Sequence, residues 1–395
     1  MAKAWLSIIG IGDSAETLPP ASHAALAAAR HVFGAPRHLA LAGLTDDPRA
    51  HPWPVPFSAA PVLSLRGTPV AVLASGDPFW FGAGAVLAAY LTPGEWHAHP
   101  APSTFSLAAA RLGWRIEETP CLGLHAAPFE RLVPVMGAGQ RAICLLRDAD
   151  APAALAAWLT ARGLGETQIT VLEALAGPRE RIRTVPAATF ALTDIAAPVA
   201  AALAFAGAPA LPRASGLPDD LFQNDGQISK RPIRALALSA LAPRPGERLW
   251  DLGAGSGSIG IEWALAGGHT IAVEQSPTRA ANIRANAMTL GVAYRVVVIE
   301  ADHTAWLAQT PPAPDAVFIG GGASPELLDQ LWAQLPPGTR LVLHGVTLET
   351  EMLLAEAHAR HGGDLLRIEL ARAEPLGRMR GWVPARPVVQ WSVTR

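Results

Sequence analysis

The segment Asp251-Leu252-Gly253-Ala254-Gly255-Ser256-Gly257-Ser258-Ile259-Gly260 constrains this chain more than any other. It closes the apolar run Arg248–Leu252 and opens a helix-like stretch, Ile259–Ala266. Glycines at a strand-to-helix turn let the backbone approach a ligand closely. The first N–H groups of the helix have no partner of their own, which suits a phosphate or a carboxylate. Glu274 closes the next apolar run, Thr270–Val273, where an acid can accept hydrogen bonds from ribose hydroxyls. A G-x-G-x-x-G pattern (Gly255, Gly257, Gly260) lies inside the segment, so an NAD(P)-dependent oxidoreductase is one alternative. Three features oppose it: Asp251 ahead of the first glycine, a second acid at Asp302, and the run Gly320-Gly321-Gly322 after another apolar stretch. The plainest alternative is a loop that only packs helix on strand.

Short apolar runs alternate with alanine-rich helical stretches along the whole chain, which predicts an α/β fold. With 395 residues the chain exceeds the roughly 250–300 at which a single core stops growing. A Pro/Gly-dense connector at 206–219 divides a first domain, 1–205 (lobes about 1–113 and 114–205), from a second, 220–395. In the first domain, a strand over Trp5–Ile11 ends in the Gly10–Gly12 turn. A strand over Val70–Ala74 runs into Ser75-Gly76-Asp77-Pro78, with a helix from there to about Tyr90 and another over Ser103–Leu112. In the second domain, a helix covers Ser229–Leu241. Leu365–Leu370 and Val388–Val393, with no helix between them, predict an antiparallel pair closing a parallel sheet.

Composition removes several classes of function. Half the residues are hydrophobic and 16% are charged, which excludes a disordered chain. A net charge of −2 lacks the basic excess of a nucleic-acid-tracking surface. Two cysteines make neither a disulfide framework nor a cysteine zinc site, and point to a reduced, cytoplasmic setting. The uncharged stretch Ile195–Pro212 is alanine-rich and broken by prolines, so no membrane span is predicted. The histidines are scattered, so no metal site is predicted. All but two of the 31 basic residues are arginine, the exceptions being Lys3 and Lys230.

The glycine segment with Asp251, Glu274, Asp302 and Phe318-Ile319-Gly320-Gly321-Gly322 resembles the seven-strand Rossmann-like methyltransferases that bind S-adenosylmethionine. With Ser229-Lys230-x-x-x-Arg234 upstream, the second domain is similar to the decarboxylating precorrin methyltransferases of cobalamin biosynthesis. The resemblance implies methyl-donor contacts at Asp251, Gly253, Gly255, Gly257, Glu274 and Asp302, and no metal. Lys230, Arg234 and His344 are the catalytic candidates; for the first two, a solvated helix face is the plain alternative. Arg231, and Arg378 and Arg380 in the loop Arg372–Arg386, are candidates for meeting substrate carboxylates. Gly377, Gly381, Met379 and Trp382 in that loop suit a mobile cover over a flat ring, the alternative being a solvated surface loop.

In the first domain, Gly10-Ile11-Gly12-Asp13, Ser75–Gly82 and Ser103-Thr104 together are similar to the tetrapyrrole methylase family. Its members bind S-adenosylmethionine between two α/β lobes, and the resemblance maps donor contacts to Gly76, Asp77, Trp80, Ser103 and Thr104. Asp77 capping a helix begun by Pro78 explains that residue without function. The chain departs from the family in two places: no proline-glycine follows Gly12, and Leu124-His125-Ala126-Ala127 replaces a His-Gly-Arg. The two families in this order resemble the fused enzymes of the aerobic cobalamin route. The resemblance then implies methylation of a reduced corrin precursor at carbons 5 and 15, with loss of carbon dioxide from the ring C acetate. It further implies two S-adenosylmethionine sites, a small-molecule tetrapyrrole partner and a homo-oligomer. A tetrapyrrole-binding protein with an inactive first domain is the alternative from another class.

Overall fold

A computed structural model describes residues 4–13 and 18–395. Lys3 and the residues just after Asp13 lie outside that description. The chain forms two units, Met1–Phe129 with Val135–Ala210, and Glu130–Pro134 with Leu211–Arg395.

The first unit holds two sheets. Strands β1 (Leu6–Ile11), β2 (His31–Gly34), β3 (Ala50–Pro52), β4 (Val70–Ser75) and β5 (Trp96–His99) form a parallel sheet in the order β3-β2-β4-β1-β5. Helices α1 (Pro20–Ala28), α2 (Pro36–Leu41), α3 (Ala60–Leu63) and α4 (Ala83–Ala88) belong to this lobe. Strands β1 and β4 read as continuous apolar runs because Ile8, Ile9, Ala71, Val72 and Leu73 are buried between layers. Helix α5 (Thr104–Leu112) carries the chain onward and packs Phe105, Ala108 and Ala109 against the second sheet.

That second sheet contains β6 (Cys121–Gly123), β7 (Arg141–Leu145), β8 (Gln168–Glu173), β9 (Arg181–Pro186) and β10 (Val199–Ala204), in the order β6-β7-β10-β8-β9. Only β6 and β7 run parallel; the other three pairings are antiparallel. Helix α6 (Ala151–Ala161) connects β7 to β8. The uncharged stretch after Ile195 is thus the buried strand β10, with Ala200, Ala201, Ala202 and Leu203 in the core.

The second unit is a seven-stranded sheet. Its strands are β11 (Arg248–Leu252), β12 (His269–Glu274), β13 (Val296–Glu300), β14 (Ala316–Ile319), β15 (Arg340–Gly345), β16 (Asp364–Ile368) and, after a hairpin, β19 (Val388–Thr394). Their order is β13-β12-β11-β14-β15-β19-β16. The first five are parallel, and β19 inserts antiparallel to both β15 and β16, the predicted closing pair. Helices α7 (Arg231–Leu241), α8 (Ser258–Leu265), α9 (Pro277–Thr289), α10 (His303–Leu307), α11 (Pro325–Gln334) and α12 (Leu348–His361) complete the unit. One core cluster gathers Trp250, Leu252, Val317, Leu331, Leu343, Leu354 and Trp391. Each such side chain, fully buried, contributes about 1.5–3 kcal/mol.

Two expectations fail locally. No helix begins at Pro78: residues 78–82 form a turn in which Phe81 takes a φ of +58°, and α4 starts only at Ala83. The segment Arg372–Arg386 is mostly ordered as an antiparallel hairpin, β17 (Ala371–Leu376) on β18 (Met379–Pro384). Arg372 pairs with Val383 and Arg380 with Pro375 across the strands, whereas Arg378 lies in the turn and Arg386 beyond β18, an order that a reading as an open cover loop missed.

Candidate active site

Strand order reverses between β11 and β14, and ligands of open α/β sheets bind beyond the carboxyl ends of the strands at such a point. A cavity of about 900 Å³ lies there. Gly253, Ala254, Gly255 and Ser256 line it from the loop after β11, Glu274 from the end of β12, and Gly320, Gly321 and Gly322 from the loop after β14.

The glycines of the first loop divide their work. Gly253, Gly255 and Gly257 have φ of +68°, +58° and +73°, where other residues are strained. A Cβ on Gly253 or Gly255 would meet nothing closer than 3.5 Å, so these two present bare backbone to the cavity. Gly257, in contrast, packs on Ile283, and a Cβ on Gly260 would sit 2.5 Å from Thr270 Cγ2, so both hold α8 close to its neighbours. Glu274 fixes the loop: its carboxylate accepts from Gly255 N at 2.8 Å and Ser276 N at 2.9 Å. Asp251 sits beneath the loop, fully enclosed, accepting from Gly260 N at 3.1 Å. Burial pushes its carboxyl up to about 7, and the nearby Glu274 charge adds to this.

Several expected contacts move. Asp251 and Gly257 do not reach the cavity, and Asp302 is an exposed cap that accepts from Thr304 N and Ala305 N of α10. Its neighbours Ala301 and His303 line the cavity instead. Arg234 is wholly buried and does not line the cavity. Its guanidinium donates to Glu262, to Asp219 at 3.0 Å, and to the carbonyls of Leu217 and Ser229. Glu262 in turn accepts from Gly216 N and Leu217 N. Arg234 is therefore the bolt that ties the segments around 217 and 229 to α8. Lys230 lines the cavity as the residue before α7, whereas Arg231 does not. Arg378 and Arg380 occupy the exposed far end of the hairpin; Arg372 and Arg386, at its base, are the ones on the cavity wall. Lys230, Arg372 and Arg386 have no ion-pair partner among the described residues. Sequence alone could not separate base from tip without knowing where the hairpin turns.

His344 lies on β15 and lines the cavity. It is paired across the sheet with Gln390, with Nε2 3.0 Å from Gln390 Oε1, and rests edge-on against Phe318. Burial holds its pKa below the ordinary value.

In the first unit the ends of β1, β4 and β5 converge. A Cβ on Gly10 would lie 1.9 Å from Gly76 O and 2.6 Å from Ala101 N, so glycine is required there. Gly76 turns the chain with φ +55°. Asp77 accepts from Phe79 N at 2.9 Å inside the turn. Ser103 caps α5 by accepting from Ser106 N, and Thr104 opens that helix. Trp80 is half-buried and lies tilted against Phe105, with ring centroids 4.8 Å apart, at the edge of the core. Two groups beside this turn carry no sequence signal: an Arg37–Asp13 ion pair, and His38, whose Nε2 lies 2.8 Å from Ser75 Oγ. Burial, with Arg37 adding, lowers the His38 pKa to about 4.

Among the described residues no cluster of His, Cys, Asp or Glu could hold a metal, and no helix is long and apolar enough to cross a membrane. The open glycines, Glu274 at the neighbouring strand end and a cavity of this size fit S-adenosylmethionine. The sheet order and this loop define the second unit as a Rossmann-like methyltransferase domain. The family described as precorrin methyltransferase domain matches residues 220–395, and the tetrapyrrole (corrin/porphyrin) methylases match residues 6–191. A precorrin-6Y C(5,15)-methyltransferase [decarboxylating] of Sinorhizobium sp is 46% identical over 99% of this chain and 96% of its own length. The Mycobacterium tuberculosis protein of the same name is 39% identical over 98% of this chain and 99% of its own. A probable cobalt-precorrin-6B C(15)-methyltransferase (decarboxylating) of Pyrobaculum calidifontis is 33% identical over 44% of this chain and 92% of its own. The chain belongs to the precorrin-6Y C5,15-methyltransferase (decarboxylating) family.

Proposed function

We propose that the chain transfers methyl groups from S-adenosylmethionine to carbons 5 and 15 of precorrin-6Y, or its reduced form, and removes carbon dioxide from the ring C acetate, giving precorrin-8. The observation that carries this is the cavity at the strand switch point, whose wall combines open glycines and Glu274 with three cations that have no ion-pair partner among the described residues. An oxidoreductase is not favoured, because the family matches span both units as methyltransferases.

Carbon 15 and decarboxylation are assigned to the second unit and carbon 5 to the first, each with its own donor site. The Pyrobaculum relative supports this division, since a protein the size of one unit is named for the carbon-15 step with decarboxylation. Bound S-adenosylmethionine supplies an electrophilic methyl on its sulfonium. In the second unit, Gly253 and Gly255 let the donor lie against bare backbone, and Glu274, while it holds Gly255 N, accepts ribose hydroxyls with its remaining lone pairs. In the first, Gly76, Asp77, Ser103 and Thr104 hold the donor, with Trp80 behind them. The meso carbons of the ring are electron-rich, so what the chain must do is orient them, exclude water and accept a proton. Lys230, Arg372 and Arg386 grip the ring's carboxylates, with the hairpin tip carrying Arg378 and Arg380 farther out. A cytoplasmic homo-oligomer completes the proposal; the free thiols of Cys121 and Cys144 support a reducing compartment.

The test is product analysis by mass spectrometry after incubating the full chain with S-adenosylmethionine and the precursor. Two methyl groups gained and one carbon dioxide lost is the expected result. A hydride change without methyl gain contradicts the proposal.

A further inference from the structure

The imidazole of His344 has its two nitrogens in different surroundings. Nε2 is 3.0 Å from Gln390 Oε1, and a carboxamide oxygen only accepts, so Nε2 carries the hydrogen. A neutral ring then has its lone pair on Nδ1. That atom has no partner among the described residues and is not one of the enclosed, unpartnered polar atoms. Because His344 is on the cavity wall, the lone pair opens into the cavity. Gln390 is the direct cross-strand neighbour on β19, itself buried, and Phe318 on β14 stands at 89° to the ring, so neither tautomer nor orientation is free to change. His303 also lines the cavity, but no partner among the described residues fixes its ring.

We propose that His344 is the proton acceptor of the second unit's methyl transfer, taking into Nδ1 the hydrogen that leaves the methylated meso carbon. This rests on the methyltransferase function above. When that carbon gains its methyl, a new carbon–carbon bond forms with a ring electron pair, and the ring becomes cationic. The carbon–hydrogen bond then breaks, its electron pair restores the conjugation, and the proton passes to Nδ1. The resulting imidazolium keeps its Nε2–H on Gln390 Oε1. A carbon acid made acidic by a cationic ring needs only a weak base, which a buried histidine is. No oxidant or further reactant is required.

His344→Asn in the full chain is expected to lower carbon-15 methylation by about 10²–10⁴-fold, the usual worth of a positioned base. Carbon-5 methylation and S-adenosylhomocysteine affinity by calorimetry stay as in the parent. Nitrogen-15 NMR of the parent shows the His344 ring protonated on Nε2. Should the asparagine variant also lose donor affinity, Gln390→Leu decides. It keeps the imidazole, frees its tautomer, and lowers the carbon-15 rate without changing affinity. Carbon-15 methylation within about threefold of the parent in both variants, or a ring protonated on Nδ1, overturns the inference. Failure of the parent chain to methylate either carbon instead overturns the function on which it rests.

Discussion

At the scale of single residues, His38 and Gly10 show how closely the first unit's turn is built. His38 is neutral in the folded state, with a pKa near 4 against 6.5 for the free side chain. Between those values the unfolded chain binds one proton more, so stability drops as pH falls through 6.5, and the loss is complete near 4. The size is on the order of 3 kcal/mol. His38→Gln is expected to flatten this dependence, read as a smaller fall in the first unit's melting temperature between neutral pH and about pH 5. An unchanged slope would show that other groups govern it. Gly10→Ala places a carbon against two backbone atoms that cannot swing aside, so the expected loss is above about 4 kcal/mol, seen as failure of the first unit to fold. Neither partner of Gly10, Gly76 O or Ala101 N, is visible along the sequence, because both arrive from distant strand ends.

At the scale of elements, the buried Arg234–Glu262 pair anchors the start of α7. Its residue type, in a chain rich in arginine, gave no sign that it points inward; only the spacing did, since position 234 shares the inner face of α7 with Ala237, Leu238 and Leu241. Glu262→Gln removes the more buried of the two carboxylates that pair with the guanidinium and leaves Asp219 alone to balance it, and is expected to cost the second unit about 3 kcal/mol in denaturant unfolding. Arg234→Met combined with Glu262→Gln should recover part of that, since the buried charge is gone while the glutamine oxygen still accepts from the backbone at 216–217; no recovery would mean that the guanidinium's bonds to the carbonyls of Leu217 and Ser229 dominate. The hairpin β17–β18 was equally hidden, because strand signals there are weak and its register depends on a turn at Gly377. Charge reversal of Arg372 and Arg386 together is expected to raise KM for the tetrapyrrole about tenfold or more, with S-adenosylhomocysteine affinity kept. A larger effect from reversing Arg378 and Arg380 would return the carboxylate grip to the hairpin tip.

At the scale of the whole molecule, two α/β units of different topology, each with antiparallel pairings in one sheet, are joined in one chain. The strand–glycine–helix junction after β11 and the strand end at Glu274 were legible because loop chemistry and apolar periodicity occur within a few residues of each other. The cavity wall was not, since it is assembled from segments as far apart as Asp219 and Val388. The central claim is that each unit holds its own site for the methyl donor. Calorimetric titration of the full chain with S-adenosylhomocysteine tests it most directly. Two molecules bound per chain, falling to one when Glu274→Leu disables the second unit's site, is the result predicted; a single molecule bound by the unaltered chain would contradict it.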